Sequence, residues 1–259
     1  MGEWTAIVLA GQRPGENGFA AAHGVAAKAL IRAGGEPMLG RVARALLDSP
    51  SIGRIVVLAQ EAEALLEGEL GWMAAEPRIS TARSGDGISA SVGGLAGTAA
   101  APYPVLVTTA DHALLRPEMV ETFIGSAAGV DVAFAMVERR VVEKSYPDTK
   151  RTWLKAANGH FSGANLFALG SDRVLPAIER WRSVERDRKK GWRVLSALGP
   201  ALLLGAVLKL RTLQQTARAI GHRLGIDVRA VEMTNPLAAV DVDKQEDHAL
   251  VEAILAGRA

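Results

Sequence analysis

The 259-residue sequence contains no cysteine, few aromatic residues and almost no net charge. Without cysteine the chain has no disulfide, no thiolate ligand for zinc and no cysteine nucleophile, and its composition fits a reducing compartment. A formal net charge of +2 excludes binding to nucleic acid through overall charge, so any basic function must be local. We therefore predict no nucleic-acid partner.

Long apolar runs are also missing. No stretch reaches the 18 uncharged apolar residues that would span a membrane, and the N-terminus leads directly into an apolar strand rather than into a signal peptide. We therefore expect a cytoplasmic protein. Hydrophobic residues nevertheless make up 49% of the chain, which is enough to bury a sizeable core.

Short apolar runs alternate with helical patterns along the chain, and this alternation predicts βαβ units around a mainly parallel sheet. Strands are predicted at 55–59, 105–109, 130–137 and 161–169, and near 228–232 and 239–242. Helices are predicted at 38–47, 62–70, 88–99, 117–127 and 244–255, with helical patterns throughout 171–224. We expect one α/β domain over residues 1–259, with a helical insertion at about 171–225.

The first predicted strand, residues 6–10, ends in a loop that contains Gly11, Arg13 and Gly15, and Lys28 follows later. Glycine lets the backbone approach a ligand and present N–H groups to negative oxygens. Arginine and lysine at the same edge add charge that suits a polyphosphate. The pattern indicates an anion-binding loop, although an ordinary glycine-rich turn would produce it too.

A second buried strand, residues 105–109, leads to Asp111. Ligands of open α/β sheets bind outside the carboxyl ends of the strands, where both Asp111 and the first loop fall. A carboxylate that faces a polyphosphate needs a cation between them, and Mg²⁺ takes one or two carboxylates together with phosphate oxygens. We therefore expect magnesium at Asp111; the alternative is that Asp111 caps the turn before the helix at Pro117.

Several motifs resemble those of GT-A-like nucleotidyltransferases, and most closely the MobA-like NTP transferases. They are Leu9-Ala10-Gly11-x-Arg13-x-Gly15, Lys28-Ala29-Leu30, Gly34-Gly35-x-Pro37-Met38-Leu39, Gly87-x-Ser89-x-Ser91, Thr109-Ala110-Asp111 and Val240-Asp241-Val242-Asp243-Lys244-x-Glu246-Asp247. The resemblance covers residues 4 to about 135 and about 228 to the end. It departs from the family pattern at Gln12, which stands where a second glycine is usual. It implies a Rossmann-like GT-A three-layer fold.

The resemblance also implies a function, namely magnesium-dependent transfer of a nucleotidyl group from an NTP to a phosphorylated small-molecule or lipid-linked acceptor, with release of pyrophosphate. Lys28 and Arg13 would act in catalysis, and Asp111 and Asp241 would hold the metal. The nucleotide would be bound by Leu9, Ala10, Gly11, Gly15, Lys28, Ser89 and Ser91. A glycosyltransferase that uses a sugar nucleotide and a non-catalytic module that binds nucleotides or lipid headgroups remain alternatives.

Four polar residues are candidates for binding a phosphorylated acceptor. Three lie in the polar stretch after the predicted strand at 130–137 and one in the predicted strand at 161–169: Lys144, Lys150, Arg151 and Asn165. A solvated charged loop would show the same composition. Asp243 and Glu246 have the spacing of a helix capping box, so we predict that Asp243 caps the last helix. We expect His112, next to Asp111, to be a surface or capping histidine rather than part of the site.

The predicted insertion has an unusual charge pattern. Residues Arg180 to Arg193 contain seven basic and two acidic residues with Trp181 and Trp192, whereas Val194 to Leu208 carry no charge. A basic, tryptophan-bearing flank beside an apolar segment is typical of peripheral contact with a membrane. Arg180 to Leu208 could therefore lie on the inner membrane face, or form a buried helical hairpin with a solvated basic side.

Overall fold

Eight strands form one mixed sheet in the computed structural model, which describes residues 3–12, 18–147, 149–179 and 210–258. The strands, including a separate hairpin of β2 and β3, are β1 (Trp4–Leu9), β2 (Arg32–Ala33), β3 (Glu36–Pro37), β4 (Ile52–Ala59), β5 (Ile79–Arg83), β6 (Val105–Thr109), β7 (Val132–Glu138), β8 (Leu154–Ala156), β9 (Gly159–Leu169) and β10 (Val228–Met233). The main sheet has the order β10-β7-β9-β6-β1-β4-β5, and β8 pairs with β9. The pairs that involve β9 are antiparallel and the others in this sheet are parallel.

Helices and short 3₁₀ turns connect these strands. The helices are α1 (Gly18–Ala22), α2 (Met38–Leu47), α3 (Ala62–Leu65), α4 (Gly71–Ala75), α5 (Ile88–Leu95), α6 (Pro117–Ala127), α7 (Arg139–Ser145), α8 (Leu213–Leu224) and α9 (Gln245–Leu255). The 3₁₀ turns are Lys28–Leu30, Gly68–Leu70, Asp172–Val174 and Pro236–Ala239. Among the described residues, no helix has the length and apolar character needed to cross a lipid bilayer.

Alternate residues of β1 face two hydrophobic cores, which gives the molecule three layers. Ala6 and Val8 belong to the larger core together with Leu39 of α2 and Phe123 of α6. Ile7 points the other way, into a smaller core that contains Val92 of α5. Because side chains alternate along a strand, a continuous apolar run is what a strand buried on both faces requires. The predicted α/β class with a mainly parallel sheet is confirmed.

Several predicted elements coincide with the observed ones. The helices at 38–47 and 117–127 and the strand at 105–109 have the predicted bounds, and the strands near 161–169 and 228–232 are β9 and β10. Two helices are shorter than predicted, because Gly68 and Gly97 adopt positive φ angles of 58° and 85° soon after α3 and α5 end.

Other predictions from the sequence were wrong or incomplete. The edge strand β5 and the helix α7 were not predicted. The strand predicted at 239–242 is absent: Pro236–Ala239 forms a 3₁₀ turn, and Asn235 accepts a hydrogen bond from the Leu237 N–H at 3.0 Å. Of the predicted insertion, the structure describes the turn Asp172–Val174, helical residues 175–179 and α8; Arg180 to Leu208 lie outside the described residues.

Candidate active site

The carboxyl ends of β1 and β6 lie side by side in the centre of the sheet. Leu9 pairs with Thr109 in the parallel register, and the Ala110 N–H donates to the Leu9 carbonyl at 2.9 Å. The chain continues into Ala10 and Gly11 from β1, and into Asp111 from β6. The structure therefore brings the two predicted motifs to the same edge, as expected for parallel strands.

Gln12 fixes the start of the loop after β1. Its backbone N–H donates to Gln60 Oε1 at 3.0 Å, and Gln60 Nε2 donates to the Gln12 carbonyl at 2.8 Å. The Gln12 side chain also donates to the Ala26 carbonyl at 3.1 Å. Gln12 therefore links the end of β1 both to Gln60 and to the segment just before Lys28. Gln60 was not predicted, although it directly follows β4 at this edge. Arg13 and Gly15 lie outside the described residues.

Lys28, at the start of a 3₁₀ turn, lies between two carboxylates. Its Nζ donates to Asp111 Oδ2 at 2.6 Å and to Asp243 Oδ1 at 2.7 Å. Burial alone would lower the pKa of Lys28, but the Asp111 and Asp243 carboxylates outweigh it and raise the pKa above its ordinary value. The lysine is therefore a fixed positive charge that joins three distant parts of the sequence.

The carboxylate of Asp243 pairs with Lys28, so the prediction that Asp243 caps the last helix was wrong. The helix α9 begins at Gln245, and Asp247 Oδ2 accepts from the backbone N–H groups of Asp243 and Lys244 at 3.2 Å each. The Val242 N–H donates to the Asp111 carbonyl at 3.1 Å, which ties this segment to the end of β6.

Asp241 is held by Arg151 and Asn165. One Asp241 oxygen pairs with Arg151 Nη1, and the other accepts from Asn165 Nδ2 at 2.9 Å. Burial and the negative charges of Asp111 and Asp243 raise the pKa of Asp241, against the opposing effect of Arg151. Both oxygens of this carboxylate thus have protein donors.

The position of Asn165 depends on an irregularity in β9. The β7–β9 register shifts between Phe134 and Met136, and Asn165 adopts a left-handed conformation with φ of 48°. Such backbone is disfavoured for residues other than glycine, although asparagine tolerates it better than most. The bulge turns the Asn165 amide towards Asp241.

Asp111 has unused capacity for a metal ion. Its Oδ2 accepts from Lys28, whereas Oδ1 is buried and has no hydrogen-bond partner among the described residues. Asp111 therefore does not cap the turn before α6. Within the described residues, no three carboxylates or histidines form a group that could hold a metal by themselves. Two carboxylates still suit Mg²⁺ when phosphate oxygens complete its shell.

An open cavity of about 900 Å³ adjoins these residues on the side of β8 and β9. Three of the four predicted acceptor residues, Lys150, Arg151 and Asn165, line it together with Asp241 and Asp243. Lys144 lies exposed on α7 instead. Trp153 and Leu154 contribute apolar surface to the wall, so the cavity combines charged groups of both signs with apolar area.

Ser89, Ser91 and His112 are all buried, and this limits the roles that they can have. Ser89 and Ser91 lie buried on α5. The Ser91 hydroxyl accepts from the Gly85 N–H at 2.9 Å and donates to the Gly87 carbonyl at 2.7 Å, so it shapes the loop before α5. His112 is fully buried, which contradicts the expected surface histidine, and burial lowers its pKa to about 4.

Comparisons with known proteins agree with the observed fold. The family model of the MobA-like NTP transferase domain matches residues 6–202. The sequence matches no curated protein.

Three solved structures are similar to the chain over nearly its whole length. A hypothetical transferase from Thermus thermophilus is 27% identical, with a TM-score of 0.79 over 95% of this chain and 99% of the other. The 4-diphosphocytidyl-2C-methyl-D-erythritol synthase from Anaerococcus prevotii is 11% identical, with a TM-score of 0.62 over 98% and 96% of the two chains. Another 4-diphosphocytidyl-2C-methyl-D-erythritol synthase is 12% identical, with a TM-score of 0.58 over 99% of both chains. At 11% and 12% identity the likeness shows the shared Rossmann-like fold alone.

Proposed function

Because the chain belongs to the MobA-like NTP transferase family, we propose that it transfers the nucleotidyl group of an NTP to a phosphorylated small-molecule or lipid-linked acceptor, with magnesium and with release of pyrophosphate. The observation that carries the proposal is the position of Lys28 between Asp111 and Asp243, beside the loop after β1. Charged groups of both signs thus meet at the edge where the resemblance implies that the nucleotide would bind.

Lys28 would bind the phosphates and neutralise the charge that shifts onto the leaving pyrophosphate. The proposed reaction forms a bond between an acceptor phosphate oxygen and the α-phosphorus, and breaks the bond between the α-phosphorus and its bridging oxygen to the β-phosphate. Such a transfer requires positioning and charge stabilisation rather than a protein nucleophile. Arg13, Gly11 and Gly15 remain predicted phosphate contacts, as Leu9, Ala10, Ser89 and Ser91 remain predicted nucleotide contacts.

Asp111 and Asp243 would hold the magnesium ion, since one oxygen of each meets at Lys28 Nζ and Asp111 Oδ1 has no hydrogen-bond partner in the described part of the chain. Magnesium would supply positive charge to the phosphate oxygens. The resemblance assigns a metal-binding role to Asp241 as well. The geometry favours Asp243, because both oxygens of Asp241 already accept from Arg151 and Asn165.

The acceptor would enter the cavity beside β8 and β9, where the exposed Lys150 would offer positive charge to its phosphate. Asp241 orients the Arg151 guanidinium, and Asn165 in turn orients Asp241. Arg151, whose side chain is 9% exposed and paired with Asp241, would shape the wall of this cavity.

Pyrophosphate release tests this function. Each of the four NTPs is incubated with magnesium and a panel of phosphate monoesters, and the wild type is compared with Lys28→Ala. Loss of one group that stabilises transition-state charge typically costs about 100- to 1000-fold in turnover, so we expect a loss of that order with modest weakening of NTP binding. Lys155→Ala, on the exposed side of β8, is the matched control and should retain turnover. Unchanged turnover in Lys28→Ala would contradict the assignment.

A further inference from the structure

Lys28 occupies the position that a metal ion bound by Asp111 and Asp243 would need. Its Nζ contacts Asp111 Oδ2 at 2.6 Å and Asp243 Oδ1 at 2.7 Å. The side chain of Asp111 is 17% exposed and that of Asp243 is 67% exposed, so the pair opens to solvent on the Asp243 side. The ammonium group therefore bridges two carboxylates at an accessible site.

Mg²⁺ and the ammonium group of Lys28 compete for the same oxygens. Mg²⁺ binds carboxylate oxygens at about 2.0–2.1 Å in an octahedral shell and tolerates little distortion. A metal bound by both aspartates would lie within the present hydrogen bonds, directly against a positive charge. Like charges at such a separation repel strongly in a partly buried site.

We propose that Lys28 is a built-in counter-ion that excludes the metal from the nucleotide-free protein and leaves the carboxylates when a triphosphate arrives. This inference rests on the proposed function. The two carboxylates carry two negative charges, which Lys28 half neutralises in the empty site. When NTP binds, Lys28 pairs with its phosphates instead of with the carboxylates. The metal then neutralises Asp111 and Asp243, which Lys28 no longer contacts.

The consequence is a coupling between the binding of metal and the binding of NTP. Metal and NTP bind cooperatively, because each removes the obstacle to the other: the phosphates attract Lys28 away, and the metal replaces it between Asp111 and Asp243. By linkage, the same coupling strengthens the binding of both ligands. The nucleotide-free protein accordingly binds divalent metal weakly.

Binding of Mn²⁺ without any nucleotide, followed by electron paramagnetic resonance, tests the inference apart from activity. Lys28→Met removes the charge and keeps most of the length of the side chain, and Lys28→Gln is the second variant because it still donates to one carboxylate. Both should bind Mn²⁺ at least about tenfold more tightly than the wild type, a factor that corresponds to about 1.4 kcal/mol. Lys244→Met removes an equal charge next to Asp243 and should change the affinity less than about threefold, because its ammonium does not bridge the carboxylates.

Adding Asp111→Asn to each Lys28 variant identifies the site. Loss of the gained affinity in the double variants supports the inference. If Lys28→Met and Lys28→Gln bind Mn²⁺ no more tightly than the wild type, the inference is overturned. If, in addition, Asp111→Asn leaves Mn²⁺ binding unchanged in every background, the proposed metal site fails as well. The pyrophosphate assay reports separately on nucleotidyl transfer.

Discussion

Lys28 and Asp111 stand 83 positions apart in the sequence, and their side chains meet at 2.6 Å. The contact joins the 3₁₀ turn after the loop of β1 to the carboxyl end of β6. It is a charge-assisted hydrogen bond at the edge of a parallel sheet where such folds bind their ligands.

The three aspartates of the site should differ in their effect on metal dependence. Asp111→Asn and Asp243→Asn should raise the magnesium concentration for half-maximal pyrophosphate release more than Asp241→Asn. Loss of a residue that hydrogen-bonds to a metal ligand typically weakens metal binding about 10- to 100-fold. Loss of a residue that binds the metal directly should weaken it more. A larger effect of Asp241→Asn than of Asp243→Asn would show that Asp241 is the ligand, as the resemblance implies.

Asn165→Gly should weaken acceptor binding with little loss of stability. Glycine accepts the φ of 48° freely, so this variant removes the hydrogen bond to Asp241 while it relieves the strained backbone. We expect the KM for the acceptor to rise several-fold and the KM for the NTP to stay near that of the wild type. Asn165→Ala is the matched variant, since it adds backbone strain and should lower the melting temperature further. An unchanged acceptor KM in Asn165→Gly would remove Asn165 from the acceptor site.

Buried His112 should make the metal-free protein less stable as the pH falls. Its pKa is about 4 in the folded chain against 6.5 ordinarily. Below pH 6.5, His112 therefore becomes protonated in the unfolded state while it stays neutral in the native state. The penalty begins near pH 6.5 and is complete below pH 4, where it reaches up to about 3 kcal/mol.

In His112→Gln the free energy of unfolding, measured by urea denaturation, should therefore decrease less between pH 6.5 and pH 4 than in the wild type. The variant His222→Gln on α8, where the histidine is exposed, is the control. An equally steep pH dependence in His112→Gln would contradict the assignment of the penalty to His112.

The basic and apolar stretch from Arg180 to Leu208 predicts contact with anionic lipid. Co-sedimentation with anionic vesicles should decrease as salt rises, because surface attraction is screened within about 8 Å at physiological ionic strength. Replacement of Trp192 and several of the arginines should weaken it further. Protein that stays in the supernatant at low salt would favour the alternative of a buried helical hairpin.

The position of Lys28 and Asp111 at one edge of the sheet, though not their direct ion pair, could be predicted from the sequence, because Asp111 follows one apolar strand and Lys28 follows the loop after another. The pairing of Asp243 with Lys28 could not. Local spacing favoured Asp243 as a helix cap, whereas the folded chain uses Asp247 for the backbone N–H groups and leaves Asp243 for the lysine. Tertiary charge pairing overrode the local pattern.

The group formed by Arg151, Asp241 and Asn165 was also only partly predictable. Its members were predicted separately, as acceptor and metal residues, and their contacts depend on the bulge in β9. A bulge changes the direction of a side chain without any signal in the alternation of apolar residues. The sequence therefore indicated which residues carry the chemistry but not how they orient one another.

Thermal unfolding with each NTP and magnesium shows whether the edge containing Lys28 and Asp111 binds a nucleoside triphosphate. A ligand at about 100 times its Kd stabilises the native state by about 2.7 kcal/mol. We expect at least one NTP to raise the melting temperature of the wild type in the presence of magnesium, and this shift to be lost or much reduced in Lys28→Ala and Asp111→Asn. No shift with any of the four NTPs, or an equal shift in those two variants, would contradict this expectation.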